Sequence, residues 1–113
     1  GNLLYAVVNI LRADHLNYLS LESRLSELGV ISQTPISRVT FLSTGRSGLI
    51  DCGDFGEIEF IHTRRTALEL CDQLEYDSNR KIWVADRKRA IHDAKNTKRS
   101  LDLIDWSAVD DII

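Results

Sequence analysis

Residues 57–63, "EIEFIHT", constrain the fold more than any other stretch. Their side chains alternate: Ile58, Phe60 and His62 face one way, Glu57, Glu59 and Ile61 the other. That is the period of a half-buried strand. Such a strand needs neighbours along its edges and a layer against its apolar row. Two preceding runs can pair with it, the β-branched and aromatic "RVTFLST" (38–44) and "LIDC" (49–52). Turns at "STGRSG" (43–48) and "GDFG" (53–56) separate them, so the three segments read as an antiparallel meander. "KIWVA" (81–85) is a fourth short strand. The nearly continuous apolar run Leu3–Leu11 reads as a buried strand, although Leu4, Val7, Val8 and Leu11 also fit helical spacing.

The covering layer comes from helices. In "SLESRLSELG" (20–29), Leu21, Leu25 and Leu28 share one face, Ser20 is placed to cap the first turn, and Gly29 ends the helix. Pro35 excludes helix before the next strand. "RRTALELCDQLEY" (64–76) reads as a second helix capped by Thr63, with Ala67, Leu70, Cys71 and Leu74 as its buried stripe. "RKRAIHDAKN" (87–96) is a third, capped by Asp86 and apolar only at Ala90, Ile91 and Ala94. The tail ends in a short helix from Ser107, with Trp106, Val109 and Ile113 toward the core. The expectation is one α+β domain over 1–113, a mostly antiparallel mixed sheet with three to four short helices packed on it.

Composition narrows the function. The net charge of -3 gives no global basic footprint for nucleic acid. The longest apolar run, "LLYAVVNIL", is too short to span a bilayer and lacks the flanks of a signal peptide, so no membrane partner is expected. Two distant cysteines, Cys52 and Cys71, fit a reducing cytoplasm better than a disulfide scaffold. Methionine is absent even at position 1, so Gly1 reads as a scar of tag removal. Either a domain preceding Gly1 was trimmed away, or this is a solo domain.

The motifs that carry chemistry are sparse. "STGRSG" lacks the Gly-Lys pair and the following helix of a phosphate-binding loop, and is better read as a hairpin loop with Arg46 at its tip. Asp51, Glu57 and Glu59 on neighbouring strands are the carboxylates a small metal-dependent nuclease would use, but the lysine that usually follows is missing. Cys52, His62, Cys71 and His92 have no zinc-ligand spacing, and no cofactor is indicated. His15 falls in the polar connection "RADHLN", and no spacing selects a nucleophilic serine. Eight of the 14 Lys and Arg residues lie between Arg80 and Arg99, where only Asp86 and Asp93 offset them. On a helix, Lys88, His92, Lys95 and Arg99 would share one face. That face is either solvated or binds an acidic protein or nucleic-acid phosphates.

Three stretches, taken in order, carry a likeness to a known family. They are "YLSLESRLSELGVISQTPISRVTFLSTGRSG", "GEIEFIHTRR" and "IWVADRKRAIHDA". Together they resemble the C-terminal domain of AbiEi-type antitoxins of type IV toxin–antitoxin (abortive infection) systems. The matching residues are Tyr18, Ser20, Leu21, Ser23, Leu25, Gly29, Ser43-Thr44-Gly45-Arg46, His62, Ala85, Arg89, Ala90, Ile91 and Asp93. Arg24 stands where the family has a small alanine. The resemblance implies a prokaryotic antitoxin or transcriptional-regulator domain that opposes a nucleotidyltransferase-like toxin by binding, without catalysis. It implies DNA binding only where an N-terminal winged helix precedes the domain, and none lies in this sequence. The partner surface expected on this reading comprises Arg46, His62, Arg64, Arg65, Lys88, His92, Lys95 and Arg99. Asp93, set among apolar neighbours, is expected either to pair with Arg89 one helical turn away or to bond a nearby backbone amide.

Overall fold

A computed structural model describes residues 2–31, 37–99, 101–105 and 107. Pro35 and the tail helix expected from Ser107, with Trp106, Val109 and Ile113, lie outside the described residues. Along the chain come α1 (Asn2–Leu11), β1 (Asn17–Leu19), α2 (Leu21–Glu27), β2 (Arg38–Ser43), β3 (Gly48–Asp51) and β4 (Glu57–His62). Then follow α3 (Ala67–Leu70), β5 (Leu74–Asp77), β6 (Ile82–Ala85) and α4 (Arg87–Thr97). The strands form one six-stranded mixed sheet in the order β3-β4-β2-β1-β6-β5. Three of its five pairings are antiparallel; β1–β6 and β2–β4 are parallel. The chain is thus an α+β domain, as expected.

Each face of the sheet carries its own core, because side chains alternate across a strand. Leu19, Phe41, Ile58, Phe60, Ile82 and Val84 face α1, which buries Leu4 and Val8 against them. Tyr18, Leu42 and Ala85 face the other way, against Leu21 and Leu25 of α2 and Ala90, Ile91 and Ala94 of α4. The three apolar positions read for α4 are all fully buried. Asp86 caps that helix by accepting from the Arg89 N–H at 2.7 Å.

Four expectations need correction. Leu3–Leu11 is helical, not a strand. Its buried positions, Leu4 and Val8, are one turn apart, while Ile10 and Leu11 stay exposed; helical spacing decides where an apolar run alone does not. The meander is also not a simple one. β4 inserts between β2 and β3, so β2 pairs with β4 in parallel and never with β3. "STGRSG" is therefore a step across the end of β4 and not a hairpin loop. Crossing two interstrand spacings is about 10 Å, within the ~13 Å that four extended residues span.

The helix expected over 64–76 is one turn long. Thr66, not Thr63, caps it, in a reciprocal capping box with Glu69. Leu74 to Asp77 then join β6 as an edge strand, where Tyr76 and Trp83 stack edge-to-face at 5.0 Å. That cross-strand pair outcompetes a helix whose Ala67 and Cys71 would both stay exposed. Finally, Ser20 does not cap α2 through its side chain. Its hydroxyl is used elsewhere, as described next.

Candidate functional site

Four polar residues, Tyr18, Ser20, Arg89 and Asp93, are scattered over the sequence but meet in space. Tyr18 and Ser20, at the end of β1, both donate to Asp93 Oδ2 on α4, at 2.9 and 2.8 Å. Arg89, one turn earlier on α4, donates from Nε to Asp93 Oδ1 at 3.1 Å and from Nη1 to Gln73 at 3.0 Å. All four residues are buried. Burial pushes the Asp93 carboxyl up against the opposing pull of Arg89 and the two hydroxyls. Burial, then the neighbouring Asp93 charge, pushes the Tyr18 phenol up as well. Arg89 Nη2 is buried without a partner among the described residues. This clasp ties α4 to β1 and fixes its position over the sheet.

A second polar tie lies on the same face. Arg99 follows the left-handed Lys98 that ends α4. It bonds Glu22 of α2 at 2.9 Å and Glu59 of β4 at 2.9 Å. Thr40 also donates to Glu59 at 3.3 Å. Hydrogen bonding from Arg99 leads the causes that hold the Glu59 carboxyl below the usual range. Arg99 is therefore spent inside the fold, and its place on a basic helix face is withdrawn. The nuclease trio dissolves for a related reason. Glu57 is paired with Arg38 at 2.9 Å, Glu59 with Arg99, and Asp51 accepts from the Gly53 N–H at 2.8 Å. Among the described residues, no group of three or more His, Cys, Asp or Glu is placed to hold a metal ion.

The step across β4 is pinned from both sides. Ser43 Oγ accepts from the Gly45 N–H at 3.0 Å and donates to Asn17 at 2.6 Å. His62 Nδ1 lies 2.8 Å from the Gly45 carbonyl oxygen, and the His62 N–H donates to Ser47 Oγ at 2.8 Å. A carbonyl only accepts, so the ring donates to it from Nδ1. On the other side the His15 ring meets Thr44 Oγ1 at 3.1 Å. Arg12 lies 4.0 Å over the Phe60 ring and reaches Ser43 Oγ. A Cβ on Gly45 would come within 2.5 Å of Arg12 Nη1 and 3.0 Å of the His15 ring, so a larger residue here would push the Arg12 side chain aside. The loop is a packed structural element, and Arg46 projects from it exposed.

The eight residues expected to bind a partner thus fall into three groups. Arg46, His62, Arg64 and Arg65 come together. Arg46 and His62 line one depression of about 690 Å³. His62, Arg64 and Arg65 line the next, of about 430 Å³, whose far wall is Asn96 and Thr97 of α4. The guanidinium groups of Arg46, Arg64 and Arg65 make no hydrogen bond or ion pair with any described residue. Lys88, His92 and Lys95 lie along α4 and line neither depression. Burial, then the charges of Arg89, Lys88 and Lys95, pushes the His92 ring below its ordinary value. Arg99 forms the third group, internal to the fold. Neither the stacking of Arg12 under the loop, which has no local sequence signal, nor the contribution of Tyr18 and Ser20 to the clasp was legible in the sequence. An aspartate between buried Ala90, Ile91 and Ala94 was the signal that a buried partner was needed.

No protein-family model, curated protein or solved structure matches this chain. No helix among the described residues is long and apolar enough to cross a membrane.

Proposed function

We propose that this chain is a binding domain of the AbiEi antitoxin type, which acts through the cationic rim formed by Arg46, His62, Arg64 and Arg65. One observation carries the reading: the residues of three separated motif stretches form two connected clusters. Tyr18, Ser20, Arg89 and Asp93 make the buried clasp, and Ser43 to Arg46 with His62 make the locked loop. Both clusters touch one depression, which Asp93 and His62 line together. The motif residues support and orient the surface, and the free arginines beside them make the contact. An Arg guanidinium with no internal partner suits carboxylate or phosphate recognition. The partner on this reading is a nucleotidyltransferase-like toxin or, as the alternative, a nucleic acid.

Co-expression with the product of the adjacent gene tests this. The chain should rescue growth, and the R46E/R64E/R65E variant should lose rescue while its circular dichroism stays unchanged. Rescue by that variant, or a neighbour that is harmless alone, would overturn the reading.

A further inference from the structure

We infer that the cationic rim is one part of a longer groove that binds a single-stranded nucleic acid, with Tyr76 and Trp83 as its stacking end. This rests on the binding role proposed above and names the chemistry of what is bound. The strand register carries it. His62 of β4 pairs with Ser43 of β2, Ser43 with Asn17 of β1, and Trp83 of β6 pairs with both Tyr18 of β1 and Tyr76 of β5. The ends of five adjacent strands therefore form one edge of the sheet, four interstrand spacings or ~19 Å long.

Three depressions that share lining residues lie around this end of the sheet, and the Tyr76 and Trp83 rings, out of phase with Ile82 and Val84, project from it on the face away from α1. One is lined by Arg12, His15, Tyr76, Lys81 and Trp83. It shares His15 with the depression at Arg46, which in turn shares His62 with that at Arg64 and Arg65. Tyr76 and Trp83 are 52% and 43% exposed, unusual for two large aromatic rings in contact. The acidic groups nearby are largely occupied: Asp77 by Arg80, Glu69 by the α3 cap, Asp93 by the clasp. Asp14, 3.8 Å from His15, remains exposed. At the opposite edge the cations are consumed, Arg38 by Glu57 and Arg24 by the Ala85 carbonyl. A row of unpaired cations tracks phosphates, and exposed rings stack on unpaired bases. Exposed Tyr and Trp beside Arg also suit protein interfaces, so the acidic-protein alternative is separated by the poly-glutamate arm of the test. A duplex would hide its base faces from the rings.

The test is fluorescence anisotropy with a labelled 12-nucleotide single-stranded RNA of mixed sequence, its DNA counterpart, the matching duplex and poly-glutamate. The wild-type chain should bind the single strands in preference to the duplex and poly-glutamate. Its affinity should fall with salt at a logarithmic slope of about -2, for three phosphate contacts. R46E/R64E/R65E should raise Kd at least tenfold and flatten that slope. Y76A/W83A should raise Kd several-fold for single strands and leave duplex binding unmoved. Absence of single-strand binding at low salt, preference for poly-glutamate or duplex, or indifference to Y76A/W83A would each overturn the inference. Growth rescue separates this from the antitoxin reading. If R46E/R64E/R65E abolishes rescue while no strand binds, the rim acts on a protein and only the nucleic-acid inference fails. If rescue never depends on the rim, the antitoxin reading fails as well.

Discussion

The two faces of the sheet are sealed by different means. Under α1 the fully buried seal is apolar, with Leu4 and Val8 set against Phe41, Ile58 and Phe60, and polar groups such as Arg12 over Phe60 and Arg80 over Tyr5 meet only its margin. Under α2 and α4 the same kind of apolar layer is threaded by the Tyr18–Ser20–Arg89–Asp93 clasp and the Glu22–Glu59–Arg99 tie. An apolar seal is non-directional, whereas buried polar groups must meet particular partners or suffer a large desolvation penalty. The first face supplies cohesion. The second fixes where α4 lies, and with it the wall opposite Arg64 and Arg65.

Breaking the clasp should have the largest effect. Asp93→Ala leaves Arg89 charged, buried and without its carboxylate, and should cost about 3–5 kcal/mol in urea unfolding. Arg89→Met with Asp93→Leu should recover most of that loss, because an apolar pair removes both charges together. If the double variant is as unstable as the single, the clasp does not behave as a coupled pair. On the other face, Leu4→Ala should cost about 2–3 kcal/mol, with no second-site variant able to rescue it by charge removal. Equal rescue on both faces would erase the contrast.

Acid sharpens the comparison within the polar face. Glu59 is held low, so its contribution is present above the ordinary carboxylate range and lost as pH falls through its folded value. Asp93 is pushed up, so its contribution is present at low pH and lost as pH rises through its folded value. Glu59→Gln should therefore destabilise by about 1–2 kcal/mol at neutral pH and by little in acid, read from unfolding curves at both. A pH-independent loss would remove the charge from the explanation. Gly45→Ala should cost about 1–2 kcal/mol by crowding Arg12 and His15. R46E/R64E/R65E should move stability least, within about 0.5 kcal/mol per site, since these side chains hold nothing in place.

The same contrast explains what could be read from the sequence. Alternation in "EIEFIHT" placed β4, and the three apolar residues of α4 marked its buried stripe, because those periods are local. The Arg89–Asp93 pair was legible for the same reason, being one helical turn apart. Leu3–Leu11 was ambiguous because a continuous apolar run fits both periods, and only the sheet beneath it selects the helix. β1 and β5 have three and four residues, too few to show alternation. The insertion of β4 between β2 and β3 is a topological fact with no local cause. It nevertheless creates the candidate site, since it forces "STGR" across His62 and lifts Arg46 onto the rim. Arg99 looked like a free helix-face cation because its acceptors, Glu22 and Glu59, are 77 and 40 residues away.

The most direct test of the account is a comparison of two charge reversals in the growth-rescue assay. R46E/R64E/R65E changes the rim, and K88E/K95E changes the outer face of α4 by the same chemistry. The account predicts that the rim variant loses rescue and the α4 variant keeps it, with both chains folded. Rescue lost only in the α4 variant would contradict it and return the partner surface to the helix.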